Sequence, residues 1–265
     1  MAKSVTKRQS TEPATWLDDQ SEKFAGAGTS QAPDDNLIPL VRRLQALSPQ
    51  AKKRAAEYVQ GAEPGDIFFK DEVDPIVKGE DGFLFQPCAF GRDYVEWRPL
   101  EQGGGYVGRW PLRGANEPDC PDAVARTDPA NGRTSWFRSN GNELIDTRYH
   151  VGFVIRDGAA APYVIPMKST DHTVSRGWMR MMNSHLTSSG NVMPSWAHIY
   201  RLTTVEKSNA IGSWYTWRIA QEGPITSKEE FDRGVALNKA WSSQEVTAAV
   251  EEDVHDVVEK DDDAF

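Results

Sequence analysis

Apolar positions are sparse at the start of the chain and then settle into two periods. Residues 1–35 are Ser, Thr, Gln, Ala, Gly and charged groups around an isolated Trp16 and Phe24. Such a stretch has too little apolar surface to offset the entropy of ordering it, so disorder is expected there. From Asn36 an apolar set begins, with Leu37, Ile38, Leu40, Val41, Leu44 and Leu47. It reads as a short helix or an extended entry. Residues 51–60 are helix-compatible, Gly61 stops them, and residues 66–69 read as a strand. Beyond this the period is two. Residues 83–90 and 93–98 form one long strand, or two broken at Gly91, and Gly103, Gly104 and Gly105 end the pattern. Residues 111–142, rich in Pro, Asn, Asp and Gly, read as a long insertion. The clearest strand is 144–156, where Tyr149, Val151, Phe153 and Ile155 alternate with Arg148, His150, Gly152 and Arg156. Asp157-Gly158 is a turn signal, and residues 163–168 return.

Residues 171–186 switch to helical spacing, with Val174, Trp178, Met181, Met182 and His185 on one face. Two more strands follow at 196–205 and 211–220. A capping box, Ser227-Lys228-Glu229-Glu230, then opens a last helix that runs to about Trp241. The resulting order is strand, strand, strand, helix, strand, strand. It predicts a mainly β protein, an OB-like five-stranded antiparallel barrel with a helix between strands 3 and 4, flanking helices and disordered termini. The alternative is a generic antiparallel sandwich. The chain divides into an N-terminal segment 1–35, a domain 36–240 and an acidic tail 241–265.

Charge changes the picture. The 265 residues carry a net charge of −9, and the pI is near 5.1, which argues against a nucleic-acid ligand. Most of that charge belongs to residues 245–265, where nine acids face Lys260 alone. The rest of the chain is close to neutral, and residues 125–220 hold eleven bases against six acids. Nine Trp, seven Tyr and ten Phe add more ring surface than one modest core needs. The last residues are Asp261, Asp262, Asp263, Ala264 and Phe265. A solubilising tail is the plain reading of the acids. An aromatic group beside the terminal carboxylate instead suits a small apolar pocket rimmed by Lys or Arg on a partner.

Catalytic signals are poor. The triple Gly lacks the GK[ST] of a phosphate loop, and the His residues show no HxH or HExxH spacing. Glu143 and Asp146 lack a nuclease-like Lys. Cys88 and Cys120 belong to no CxxC or Cys/His cluster, so no metal, cofactor or enzymatic activity is expected. No apolar run of about 18 residues offers a membrane span and no secretory signal opens the chain, so a cytoplasmic location is expected. What recurs is an Arg or Lys near an aromatic ring. The candidate ligand contacts are Trp97, Arg98, Arg109, Trp110, Trp136, Arg138, Arg148, His150, Arg156, Lys168, Arg201, Trp214 and Arg218. On strand 211–220, Tyr215, Trp217 and Ile219 point inward by alternation, while Trp214, Thr216 and Arg218 point outward. Rings stack on bases whatever the sequence, and Arg pairs with phosphate.

The Asp-rich end with its last Phe resembles the tail of bacterial and phage single-stranded-DNA-binding proteins. Residues 36–110, with Leu37-Ile38-Pro39, Leu44-Gln45-Ala46-Leu47-Ser48-Pro49, Gly61-Ala62-Glu63-Pro64-Gly65-Asp66 and Glu96-Trp97-Arg98-Pro99, resemble a family of phage-encoded proteins. These resemblances imply a protein that coats single-stranded DNA in phage replication or recombination. Asp261, Asp262, Asp263 and Phe265 would recruit a replicative DNA polymerase and a helicase or primase. A homodimer in the host cytoplasm is the implied assembly, because about 80 residues precede the barrel where the bacterial tetramers begin with it. A strand-annealing recombination mediator and a virion or assembly protein are the rival readings.

Overall fold

Two long strands, Phe83–Trp97 and Glu143–Arg156, pair antiparallel along nearly their whole length and carry the fold. The computed structural model describes residues 36–249 apart from 71, 130, 131 and 211, together with residue 23. The expected disordered segment 1–35, residue 23 apart, and residues 250–265 of the acidic tail, Asp261, Asp262, Asp263 and Phe265 among them, lie outside the described residues, whereas residues 241–249, also assigned to that tail, pack against the domain.

In chain order the strands are β1 (Leu37–Ile38), β2 (Val41–Arg43), β3 (Ile67–Phe69), β4 (Ile76–Val77), β5 (Phe83–Trp97) and β6 (Tyr106–Trp110). Then come β7 (Leu112–Arg113), β8 (Glu117–Pro118), β9 (Val124–Thr127), β10 (Thr134–Phe137), β11 (Glu143–Arg156) and β12 (Ala159–Lys168). Helix α1 (His172–Asn183) follows, then β13 (His198–Ser208), β14 (Ser213–Pro224), helix α2 (Lys228–Ser242) and β15 (Thr247–Ala248). The protein is mainly β, and its large sheet curls into a half-barrel. Five strands of that sheet lie side by side in the order β14-β13-β5-β11-β12. No pairing joins β12 to β14 among the described residues. At the opposite ends of the two long strands, β6 pairs with β5, and β10 followed by β9 continues from β11.

Several local expectations hold. Asp157 and Gly158 have φ of 50° and 78°, the left-handed pair that a two-residue hairpin turn requires. Ser227 and Glu230 exchange both hydrogen bonds of a capping box at the start of α2. Others do not hold. Residues 51–60 form only a short 3-10 turn at Pro49–Ala51 and further turns. Lys52, Lys53 and Arg54 are exposed there, so the segment has no apolar face to fix a helix of marginal length. The insertion 111–142 contains β7 to β10, and its Cys120 forms a small core with Tyr94 and Leu144 of the two long strands.

Both faces of the sheet are covered. On one face α1 packs Trp178 and Met182 against Phe83, Phe85, Val154, Ile165, Tyr200 and Trp217. On the other, Leu237 of α2 and the β1/β15 pair cover Ala89, Val95, Trp97, Tyr149 and Val151. The pairing register slips near Cys88, where Ala89 faces Val151 and Pro87 faces Gly152. The extra residue reverses the alternation of β5. Phe83 and Phe85 therefore face α1, whereas Ala89, Val95 and Trp97 face the other way. No helix among the described residues is long and apolar enough to cross a membrane.

Candidate functional site

The long strand β11 changes neighbours partway along. Its residues Glu143 and Leu144 pair with β10, and from Thr147 onward it pairs with β12. Ile145 and Asp146 have no strand partner on that side, and the sheet forks between them. A cleft of about 240 Å³ opens there, between Thr134, Ser135 and Trp136 of β10 and Ser169 and His172 at the start of α1. His172 Nε2 lies 2.9 Å from the Asp146 carbonyl oxygen, where a neighbouring strand would otherwise donate. Burial holds the His172 pKa below the usual imidazole value, more than the adjacent Asp146 carboxylate raises it.

Asp146 is held in turn by Arg92, whose Nε and Nη2 each donate to the carboxylate at 2.8 Å. Arg92 also donates to Ala115 O and Asn116 Oδ1. Two residues along β11 on the same face stands Arg148, directly opposite Arg92 in the register. Its Nε is buried and has no hydrogen-bond partner among the described residues. Burial first, and then the neighbouring charges of Arg92 and Arg176, hold its pKa below the usual arginine value. Arg176 comes from α1, one turn after His172, and is exposed. Two residues further along β11, His150 is 1 % exposed, stacked on Trp178 at 4.5 Å with Ser175 Oγ at 2.9 Å from its Nε2. Phe90 pairs with His150 across the strands and leaves 39 % of its surface exposed. The polar row Asp146, Arg148, His150 thus runs from an open cleft to a closed core. An exposed ring flanks its inner end, and the half-buried Trp136 walls the cleft.

Of the residues expected from the sequence, the fold brings Arg148 and Trp136 to this region. Trp97 and His150 are core residues, 1 % exposed, and are closed to any ligand, Trp97 within the core beneath β1 and β15 and His150 beneath Trp178 of α1. Arg109 donates to the Ala248 and Ala249 carbonyls and lies over the Tyr149 ring, so it pins the β15 segment. Arg156 pairs with Glu72 and lies over Phe69. Trp110 Nε1, Arg138 and Asn142 all converge on Glu96, which is 1 % exposed. Lys168 sits over Trp97, and Arg201 pairs with Glu222. Trp214 and Arg218 lie on β14, at the far end of the sheet from the cleft, and Arg98 is exposed beyond the end of β5. Trp217 points inward as alternation required, but Thr216 does not point to solvent. It is 2 % exposed and donates to Asp171, which Arg43 also holds. Arg92, Arg176, His172 and Phe90 were missed. Cross-strand register alone brings Arg92 beside Arg148, and no sequence period shows that.

Both cysteines are buried and free, and burial pushes the Cys88 thiol up to about 12. Among the described residues no three His, Cys, Asp or Glu side chains gather as they would around a metal ion. The chemistry on offer at the fork is recognition of an anion by guanidinium groups, with rings at hand for a flat ligand. A family model described as Pam3 phage gp34-like protein matches residues 6–247. No curated protein matches the chain, and no solved structure does.

Proposed function

Because the chain belongs to the Pam3 phage gp34-like family, we propose that this phage protein binds single-stranded DNA without sequence preference in phage replication or recombination, and performs no chemistry on it. The observation that carries the reading is the row of Arg92, Arg148 and Arg176 with Phe90 and Trp136 along one face of the central strand pair. Phosphates pair with the guanidinium groups while bases stack on the rings, each stacked base contributing roughly 1–3 kcal/mol. The strand order supports the reading. In β14-β13-β5-β11-β12, with α1 following the third strand in sequence, the neighbours are those of an OB barrel left open between its third and fifth strands. In this reading the acidic residues 245–265 recruit a replicative polymerase and a helicase or primase, and the protein works as a homodimer in the host cytoplasm.

Titration of the intrinsic Trp fluorescence with oligo-dT and with duplex DNA of the same length tests this. Single strands should bind more tightly and quench the fluorescence. Affinity should fall by about 0.7 log units per log unit of salt for each phosphate neutralised. Phe90→Ala should weaken binding by roughly 1–3 kcal/mol with little loss of stability, since the ring is already partly in water. Equal affinity for duplex and single strands would overturn the reading. No affinity at all, with the protein abundant in particles, would favour a virion or assembly role. An annealing assay separates plain coating from a strand-annealing mediator.

A further inference from the structure

Arg148 is a cation where folding alone gives no reason to keep one. Its Nε is buried without a partner, and the residue directly opposite is another arginine. Like charges in that position destabilise a sheet. The adjacent carboxylate, Asp146, is already taken by two donors of Arg92. Arg176 adds a third guanidinium whose charge also opposes that of Arg148. Arg92 and Asp146 balance each other, as do Arg133 and Glu143, and all four line the cleft of about 240 Å³. Arg148 and Arg176, just outside that lining, are the surplus of two positive charges.

The charge of that surplus selects the ligand. An internal phosphodiester brings one negative charge and two free oxygens. A phosphate monoester brings about 1.5–2 negative charges and three strong acceptor oxygens. We infer that Arg148, with Arg92 and Arg176 beside it, is a binding site for a phosphate monoester, either the terminal phosphate of a DNA strand or free phosphate. The terminal-phosphate form rests on the single-stranded-DNA reading, and the free-phosphate form does not. Arg176 is exposed and stands on a helix, so its long side chain is able to close over a phosphate that Arg148 holds from below.

Full-length wild type and Arg148→Met are compared in two measurements. Met keeps most of the aliphatic bulk and removes the donors. In the first, inorganic phosphate is titrated against chloride at matched ionic strength, and the melting temperature is read. Phosphate should raise the wild-type midpoint by several degrees and leave that of Arg148→Met unmoved. Without phosphate the variant should melt no lower than wild type, because a repulsion has been removed. In the second, oligo-dT bearing a 5′ or a 3′ phosphate is compared with the same strand ending in hydroxyls. At least one phosphorylated end should bind wild type about fivefold more tightly or better. That preference should disappear in Arg148→Met, and it should shrink below about pH 6, where the monoester dianion takes up one proton and loses a charge.

If all ends bind equally and phosphate gives no specific shift, the inference is wrong while the single-strand reading stands. If no oligonucleotide binds but the phosphate shift is present and is lost in Arg148→Met, the site stands and the single-strand reading falls. Should Arg148→Met fail to fold, Arg148→Lys keeps the charge without the forked donors. A folded Arg148→Lys protein that retains the full phosphate shift would also overturn the inference.

Discussion

The central strands fork twice, and the two forks are finished differently. On β5 the neighbours are β13 at Phe83–Phe85 and β6 at Tyr94–Trp97, which leaves the stretch between without a strand on that side. Helix α2 fills the gap. Gln86 Nε2 donates to the Trp196 and Glu230 carbonyls, Arg233 donates to Gln86 Oε1, and Asn238 donates to the Cys88 carbonyl. Gly91 lies so close under Trp241 that an added Cβ would meet the ring at 2.9 Å. On β11 the gap is shorter and is left open to the cleft, with His172 alone reaching the Asp146 carbonyl. At the closed fork the chain's own donors serve the Cys88, Trp196 and Glu230 carbonyls, although the buried Arg233 Nε and Trp196 Nε1 have no partner among the described residues. Arg148 Nε is unpartnered in the same way, but at the open fork a second arginine stands directly opposite it, and that surplus charge is what a ligand can take.

The largest consequence falls on the closed fork. Gln86 is completely buried, and its amide serves three partners at once. Gln86→Ala strands two carbonyls and leaves Arg233 without that acceptor, at roughly 1–3 kcal/mol for each buried group left unpaired. A loss of about 3 kcal/mol or more is expected in denaturant melts, with affinity for oligo-dT unchanged in the protein that remains folded. A mild effect on stability, or a large one on affinity, would erase the distinction between the forks.

Strand periodicity made much of this frame legible. The hairpin at Asp157-Gly158, the helix after it and the capping box at Ser227 were all readable, because each depends on residues close in sequence. The forks were not. They depend on which strand lies beside which, and on a bulge near Cys88 that moves Trp97 from one face of β5 to the other. Arg–aromatic neighbours in sequence proved a poor guide to a ligand face, because adjacent residues on a strand point to opposite sides. In Trp97-Arg98 the ring is core and the arginine is solvated. Both members of Trp136 and Arg148 were among the expected contacts, yet only pairing with β10 and β5 explains their positions. The partners that complete the site, Arg92 and Arg176, come from elements whose neighbours no local pattern reveals.

The boundary between open cleft and closed core runs through β11 itself, and pH probes it. His150 is buried under Trp178, and burial, with a smaller contribution from the Arg148 charge, holds its pKa down from 6.5 to about 3. In the unfolded chain it takes up a proton below about pH 6.5, whereas in the folded protein it stays neutral. Stability attributable to His150 is therefore present above pH 6.5 and is lost as pH falls toward 3, at about 1.4 kcal/mol per pH unit. His172 and His198 are held down in the same direction by burial, so the wild-type slope exceeds that of one group. His150→Phe should flatten the slope between pH 6 and 4 by about one proton's worth in urea melts at each pH. An unchanged slope would mean that His150 already meets water, and that the cleft reaches further under α1 than its geometry indicates.

The smallest effect belongs to a residue outside both forks, and it sharpens the comparison by being small. Arg201 carries the same charge as Arg148 and also stands on a strand of the half-barrel, but its Nε lies 3.2 Å from Glu222 Oε2 with both side chains about 40 % exposed (41 % and 43 %). An exposed pair of this kind contributes roughly 0.2–1 kcal/mol. Its charge is balanced within the chain and its donors are in water, so nothing about it calls for a ligand. Arg201→Ala should cost less than about 1 kcal/mol in thermal melts and should leave oligo-dT affinity within about twofold. If Arg201→Ala instead weakens binding as much as Arg148→Met, positive charge anywhere on the sheet is what the DNA reads, and the open fork holds no special place in its recognition.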